Sequence, residues 1–483
     1  MTQRIDPAAA RALVPPPLAA ILEEVYAVGG CVRDAVMGRT PNDIDLTTPL
    51  TPQEVIAAGE AAGYQVKPTG LQHGTVTVII DHEPYEVTTF RIDTETDGRH
   101  AKVQYTRDLS QDLARRDFTM NAMAVDVYGE LFDPYGGQAD IDRKVIRCVG
   151  NPFERFEEDL LRIVRAARFS STLGFEIDPE TQEAMRKMGP ELQAEVGGKV
   201  SIERMVIETN KALKGSERPS EYLQWLWDLG VFQKIIPEMA NADDLAQDPK
   251  HHPEGSVWRH TLDVIDRADP AHRWNALFHD IGKCITFTPT EQGYNTFRGH
   301  DEAGANVIKD ICSEGRLNLP KTLIRSIEAT TGMHMQVLQA GDVPTDRVIR
   351  RLQHRAGPHL DSLAGVVRAD AGHRYNPGWD ALWAARQDEN GVDDVKPILT
   401  GHHLLARGHK QSVELGQILK RAHEHQLETG ERDVERLYQI GLGTPPTTTA
   451  GIADDTIRLA IVLEHKQVYD LADRLDDLVD EIN

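Results

Sequence analysis

Residues 28–46 read VGGCVRDAVMGRTPNDIDL, and two features within them suit phosphoryl chemistry. A Gly29-Gly30 turn leaves an apolar strand, Val25 to Val28, and leads into a helix with Arg33 and Asp34 in its first turn. Glycine lets a backbone approach a triphosphate closely, and a helix N-terminus favours anions. Asp43 and Asp45 follow. Residues two apart on a strand face one way, so both carboxylates project to one side and can share hard, oxygen-loving ions such as Mg²⁺. That is the equipment of phosphoryl or nucleotidyl transfer by two metals. A glycine pair or an Asp-x-Asp alone is ordinary loop chemistry; the ordered combination of strand, turn, helix and paired carboxylate carries the functional reading.

Three further segments extend this set. Glu86, in YEVTTFR, offers a third carboxylate from a later strand, and equally suits an exposed strand position. Arg115-Arg116-Asp117 with Asn121 supplies guanidiniums for triphosphate oxygens and polar groups for ribose hydroxyls, although RRD also reads as a capped helix start. In EDLLRIVRAARF, read as part of one helix from Phe156 to Thr172, Asp159 and Arg162 share a face, and Arg165 and Arg168 continue the stripe. An acceptor beside a donor matches cytosine and adenine, which present an amino group next to a bare ring nitrogen. It rejects uracil and guanine, which present a carbonyl next to an N–H. The same spacing also makes an ordinary helix salt bridge.

A second constellation lies downstream. His260 sits in a helical segment from Val257 to Ala268, His279-Asp280 follows an apolar one, and Asp370 comes much later. Neutral imidazoles beside carboxylates suit a divalent transition metal, and His300 with His334 offers ligands for a second ion. His, then His-Asp, then a distant Asp resembles the HD phosphohydrolase superfamily, which implies hydrolysis of a phosphate ester such as a 2′,3′-cyclic or terminal phosphate.

The elements that must hold these groups change character along the chain. Up to about Arg91 strand and helix signals alternate, as in a small α/β domain; after Asn151-Pro152 helical periodicity dominates. GTPPTT at 443–448 reads as a connector to a last helix near Asp454. At 483 residues there is room for roughly three domains. A net charge of −23 argues against a nonspecific nucleic-acid coat, yet arginines and lysines cluster between Arg99 and Arg116 and between Arg155 and Lys214, a lane able to hold one RNA selectively. Cys31, Cys148, Cys284 and Cys312 form no CxxC pair, so neither a disulfide framework nor a cysteine zinc site is expected. Apolar runs fall short of a membrane span and the first residues lack a basic n-region, so a cytoplasmic location without membrane contact is expected.

GGCVRD with NDID, EVTTFR, DLARRDFTMNAMA, DPYGG, EDLLRIVRAARF and SIERM stand in the order of the class II, bacterial-type CCA-adding enzymes, the tRNA nucleotidyltransferase and poly(A) polymerase family. The resemblance covers about residues 20–215 and extends loosely to GHHLL and Gly408, where His409-Lys410-Gln411-Ser412 replaces a usual Pro-Gly pair. It implies an α+β fold: a small nucleotidyltransferase (polymerase-beta-like) head at 20–147, then an all-α neck at 148–215, body with the HD domain at 216–375, and tail at 376–483. It also implies tRNA as partner and CTP and ATP as substrates, joined without a template into the 3′-CCA end. By this resemblance Asp43 and Asp45 bind Mg²⁺ with Glu86 beside them, and Gly29, Gly30 and Arg33 grip the triphosphate. Arg115, Arg116, Asp117 and Asn121 meet phosphate and ribose, Asp159 and Arg162 select the base, and Arg165 and Arg168 support the nucleotide. The segment Asp93 to Lys102, with Asp97-Gly98-Arg99-His100, resembles the loop linked to switching from C to A addition. Poly(A) synthesis and an HD phosphohydrolase with an RNA-binding head are the competing readings, and oligomeric state is left open.

Overall fold

The architecture is that of a computed structural model describing residues 7–22, 24–41, 43–94, 102–192, 200–339, 344–372 and 396–443. The expected switching loop at 97–100 and the expected connector and last helix beyond 443 lie outside these residues. The chain divides into two compact units, one drawn from Met1–Ala242 and Asp310–Leu319, the other from Asp243–Lys309 and Pro320–Asn483.

The first unit is built on β1 (Tyr26–Val28), β2 (Asp45–Thr48), β3 (Gln65–Gly70), β4 (Thr75–Ile80), β5 (Glu83–Thr89), β8 (Ala124–Val125) and β9 (Leu131–Phe132), in the order β3-β4-β5-β2-β1-β8-β9. Strands β6 (Arg91–Thr94) and β7 (Lys102–Tyr105) pair separately. Within the larger sheet β2 and β5 run parallel, and the other neighbours run antiparallel. A parallel pair needs a crossover, supplied here by α4 (Pro52–Ala61) and the β3–β4 hairpin. A capping box starts α4: Thr51 accepts from the Glu54 N–H, Glu54 accepts from the Thr51 N–H at 2.7 Å, and Pro52 occupies the first turn. The sheet buries Leu46, Val76, Val78 and Val87.

Around it lie α1 (Pro7–Leu13), α2 (Pro16–Leu22), α3 (Gly30–Val36), α5 (Leu109–Ala114) and α6 (Gly137–Asp142). Helices α7 (Pro152–Glu158), α8 (Leu161–Leu173), α9 (Pro179–Met188), α10 (Ile202–Gly215), α11 (Pro219–Asp228) and α12 (Phe232–Ile235) follow. Both α10 and α11 pack on α8, so α11 continues this unit past residue 215.

Two local expectations are corrected. Strand β2 begins at Asp45, leaving Asp43 in a bend before it. The single helix expected from Phe156 to Thr172 is two, because Asp159 takes an extended conformation (φ −157°, ψ 102°) and its carboxylate accepts the Leu161 N–H at 3.1 Å. An aspartate that satisfies a free N–H of the next helix competes with continuing the previous one.

The second unit is helical: α13 (Val257–Arg267), α14 (Arg273–Phe278), α15 (Lys283–Thr286), α16 (His300–Ser313), α17 (Lys321–Gln339), α18 (Asp346–Ala356) and α19 (Leu360–Ala371), then Gly401–Ala406, Val413–Thr429 and Val434–Leu442. Met333, Val337, Leu352, Leu363 and Val367 form one of its cores, uniting α17, α18 and α19. Among the described residues no helix is long and apolar enough to cross a membrane. All four cysteines are free thiols.

Candidate active site

The turn after β1 needs glycine. Gly29 sits at φ +79°, and a Cβ there would lie 2.7 Å from Arg116 Nη1. Beyond it, α3 carries Arg33, whose Nη1 donates to Asn121 Oδ1 at 2.9 Å while Nε and Nη2 reach Asp34. This ties the glycine turn to the 115–121 segment. On the sheet, Asp45 is the register partner of Glu86 across the parallel β2–β5 pair, so the two side chains share a face; Asp43, Asp45 and Glu86 are all exposed. Exposed carboxylates from two neighbouring strands and the bend before them can approach hard divalent ions from solvent.

Around this cradle arginines collect, and each is matched. Asp112, wholly buried and missed in the sequence, accepts from Arg115 at 2.9 Å and lies 3.6 Å from Arg116; its i+3 and i+4 spacing was the available signal. Burial pulls the Arg116 pKa down, against Asp112, which raises it. Asp117 accepts from Arg165 at 2.6 Å, from Asn121 and from the Phe118 N–H. Burial alone would raise the Asp117 pKa, but Arg165 and these hydrogen bonds bring it down to about 2. Arg168 donates to Glu208 at 2.5 Å, and Arg165 Nη1 lies 3.7 Å from the same carboxylate. Phe169, also missed, brings the cations together: Arg33, Arg165 and Arg168 lie 5.2, 5.5 and 3.8 Å from its ring centroid.

Asp159 and Arg162 do not pair along a helix face as expected. Asp159 precedes α8 and is gripped by both Nη atoms of Arg204 on α10, at 3.2 and 2.6 Å. Arg162 pairs with Glu158 at 2.6 Å and donates to the Arg155 and Arg115 carbonyls. The break at Asp159 thus separates the two groups and gives each its own fixing partner. SIERM contains Arg204 but gave it no partner, and no local signal pointed to Glu208; both come from a helix some 40 residues on.

In the second unit the expected ligands converge, but in a different grouping. His260, His279 and Asp370 form one set and Asp280, His300 and His334 another, with donor atoms within 4.8 Å in each. Asp280 faces both: Oδ2 lies 3.2 Å from His279 Nε2 and 3.5 Å from His260 Nε2, while Oδ1 lies 3.2 and 3.4 Å from Nε2 of His300 and His334. The Nδ1 atoms of His279, His300 and His334 donate to the carbonyls of Ala276, Phe297 and Thr331. His260 Nδ1 donates to Glu254 at 2.5 Å. With every Nδ1 occupied as a donor, a neutral ring presents a bare lone pair at Nε2. Those lone pairs face one another, His300 to His334 at 3.2 Å and His260 to His279 at 3.4 Å, and repel unless a proton or cation lies between them. The donor set therefore fits divalent metal, with Asp280 offering a different oxygen to each group.

Electrostatics agree. Burial works against charge on His260, yet Asp370 and Glu254 raise its pKa to about 9. Burial likewise opposes the charged forms of Asp280 and Asp370, but Lys283 and His279 beside Asp280, and the His260 hydrogen bond to Asp370, hold both well below the usual carboxylate range. A third set, His252, Glu254 and His260, is joined by hydrogen bonds, since Glu254 already accepts from His260 Nδ1. Glu254 and Lys283 were missed, though Lys283 at three residues from Asp280 was legible in HDIGK. A cavity of about 760 Å³, bordered by Lys283, Arg298, Phe297, His252 and Asp370, opens onto the cluster.

Two outcomes are expected. The folded Asp117 pKa lies below its unfolded value of ~3.9, so this carboxylate stabilises the fold above about pH 4 and the contribution, about 2 kcal/mol, disappears as pH falls toward 2. Urea unfolding of Asp117→Asn should show a correspondingly shallower loss of stability over that window; an unchanged slope refutes the pairing. Gly282 packs so closely that a Cβ would lie 1.9 Å from the His300 carbonyl oxygen. Gly282→Ala must push the start of α16 away from Asp280, and Mn²⁺ bound per chain in equilibrium dialysis should fall. Undiminished binding would show that His300 is no ligand.

Three regions match family models: residues 25–147 a poly A polymerase head domain, 174–243 a probable RNA and SrmB-binding site of polymerase A, and 259–371 an HD domain. Head and HD domains of these kinds use divalent metals. Over 194 residues the chain is 47% identical to a CCA-adding enzyme of Staphylococcus aureus, a stretch that is 40% of this chain and 46% of that relative. The match therefore spans less than half the length of the curated relatives. The solved Bacillus stearothermophilus CCA-adding enzyme in complex with CTP superposes with a TM-score of 0.64 at 26% identity, covering 91% of this chain and 98% of that one. A Thermotoga maritima CCA-adding enzyme complexed with tRNA shares the fold, with a TM-score of 0.56 at 18% identity over 92% and 99% of the two chains. Head, RNA-binding and HD models thus match successive parts of one polypeptide, and the chain is similar to CCA-adding enzymes in sequence over 194 residues and in fold over nine-tenths of its length.

Proposed function

We propose that this protein completes the 3′ end of tRNA by adding C, C and A from CTP and ATP without a nucleic-acid template. The observation that carries the reading is the register pairing of Asp45 with Glu86 beside the Gly29-Gly30 turn, which gathers carboxylates where a triphosphate would lie. Asp43, Asp45 and Glu86 would hold Mg²⁺, which when bound lowers the pKa of the attacking 3′-hydroxyl and neutralises the departing pyrophosphate. Gly29 and Gly30 admit the triphosphate backbone closely, and Arg33, Arg115 and Arg116 offer cations to its oxygens. Asp117 and Asn121, already joined by a hydrogen bond, present polar atoms to the ribose. Asp159 accepts from the exocyclic amino group of cytosine or adenine, and Arg162 donates to the adjacent ring nitrogen. Arg165 and Arg168, anchored on Asp117 and Glu208, back the nucleotide. The division into head (20–147), neck (148–215), body (216–375) and tail (376–483), and a cytoplasmic location, belong to this proposal.

The converging Nε2 lone pairs favour a second activity, hydrolysis of phosphate esters in the HD domain. His260, His279, Asp280 and Asp370 would hold one divalent transition metal, and His300 and His334 a second beside Asp280. Lys283 and Arg298 at the cavity can offset the phosphate's charge.

Incubation with tRNA lacking CCA, Mg²⁺ and each labelled nucleotide should give stepwise C then A addition that stops after three residues. Long A tracts with ATP alone would instead support poly(A) synthesis. Asp43→Ala or Asp45→Ala is expected to reduce addition to background while tRNA binding persists; near-normal addition would falsify the metal assignment. Asp159→Ala should relax the choice among the four nucleotides more than it slows transfer, and unchanged C and A preference would remove this residue from base selection.

A further inference from the structure

Helix α10 carries Arg204 and Glu208 four residues apart, and both reach residues assigned above to the nucleotide: Arg204 grips Asp159, proposed to read the base, and Glu208 pairs with Arg168, proposed to back the nucleotide. The Arg204 contact is bidentate, with Nη1 on Asp159 Oδ1 and Nη2 on Oδ2. An ionised carboxylate has roughly four acceptor positions. In Asp159 three are occupied, two on Oδ1 by the Leu161 N–H and Arg204 Nη1, and one on Oδ2 by Arg204 Nη2. Among the described residues one position on Oδ2 is left, and a base edge brings one amino group.

We propose that Arg204 is a specificity-determining positioning residue, whose planar fork locks the Asp159 carboxylate so that its single remaining lone pair faces the base. The inference rests on Asp159 reading the base. A carboxylate held only by the Leu161 N–H can rotate about its side-chain bonds and turn away from an approaching carbonyl, admitting uracil or guanine at little cost. Clamped from behind by a guanidinium, it cannot turn, and a carbonyl meets a fixed lone pair. Arg204 therefore acts mainly by rejection: it does not touch the nucleotide, and its removal should raise the efficiency of the wrong bases more than it lowers that of the right ones. Lysine cannot replace it, because an ammonium is a point charge that holds neither the plane nor both oxygens.

The test measures kcat/KM for CTP and for UTP on tRNA lacking CCA, in the wild-type protein, Arg204→Met and Arg204→Lys, with thermal melting to establish that each variant is folded. The CTP to UTP ratio should fall by roughly tenfold or more in Arg204→Met, chiefly through improved UTP use, which is a fraction of what a hydrogen-bonding site can discriminate. Arg204→Lys should restore little of it. An unchanged ratio in Arg204→Met, an equal loss for both nucleotides, or full restoration by lysine would each overturn the proposal. A wild-type protein that adds no C to tRNA would instead sink the CCA-adding reading itself.

Discussion

The first unit depends on one constraint: guanidinium groups drawn out of water must each be met by a carboxylate or a ring face. Arg165 stands between Asp117 and Glu208, Arg168 lies on Phe169 and Glu208, and Arg115 and Arg116 share the buried Asp112. These partners come from segments far apart in the chain, so satisfying the charges also docks the 112–121 segment, α8 and α10 together. A buried pair adds little net stability over an apolar one, but losing one partner leaves an uncompensated charge costing about 3–5 kcal/mol. Such a network serves position more than stability, holding the guanidiniums in fixed places.

The HD cluster meets the mirror image of that problem. There the excess is of lone pairs and negative charge, with four imidazole nitrogens and two carboxylates crowded in a buried space and the Lys283 ammonium 2.6 Å from Asp280. The carbonyls of Ala276, Phe297 and Thr331 decide the outcome by accepting hydrogen bonds from the Nδ1 N–H groups, which turns each Nε2 inward. Glu254 does the same for His260. The fold has arranged a demand for cations, and the ligand geometry is prepared by backbone before any ion arrives.

What could be read in advance follows the range over which each interaction acts. The turn, the paired carboxylates, the strand bearing Glu86 and the helical character after residue 151 are local in spacing. The HD ligands were recognisable as residue types and as two groups, but not with Asp280 shared between them, because only packing shows that Asp280 presents a different oxygen to each. The reading of Asp159 and Arg162 as one helix face failed for a local reason: the aspartate's own capping bond to Leu161 ended one helix and began another.

By itself the sequence determined the chemistry. Glycine, paired aspartates, arginines and His-Asp in that order offer groups suited to phosphates and divalent ions, since residue type sets which ligands can be bound at all. Only the tertiary structure decided orientation: that Glu86 stands opposite Asp45, that Phe169 gathers three arginines, and that Arg204 holds both oxygens of Asp159. The direction of a hydrogen bond and the lone pair left over from it depend on partners tens of residues away. Spacing along a chain carries no information about which of them will arrive.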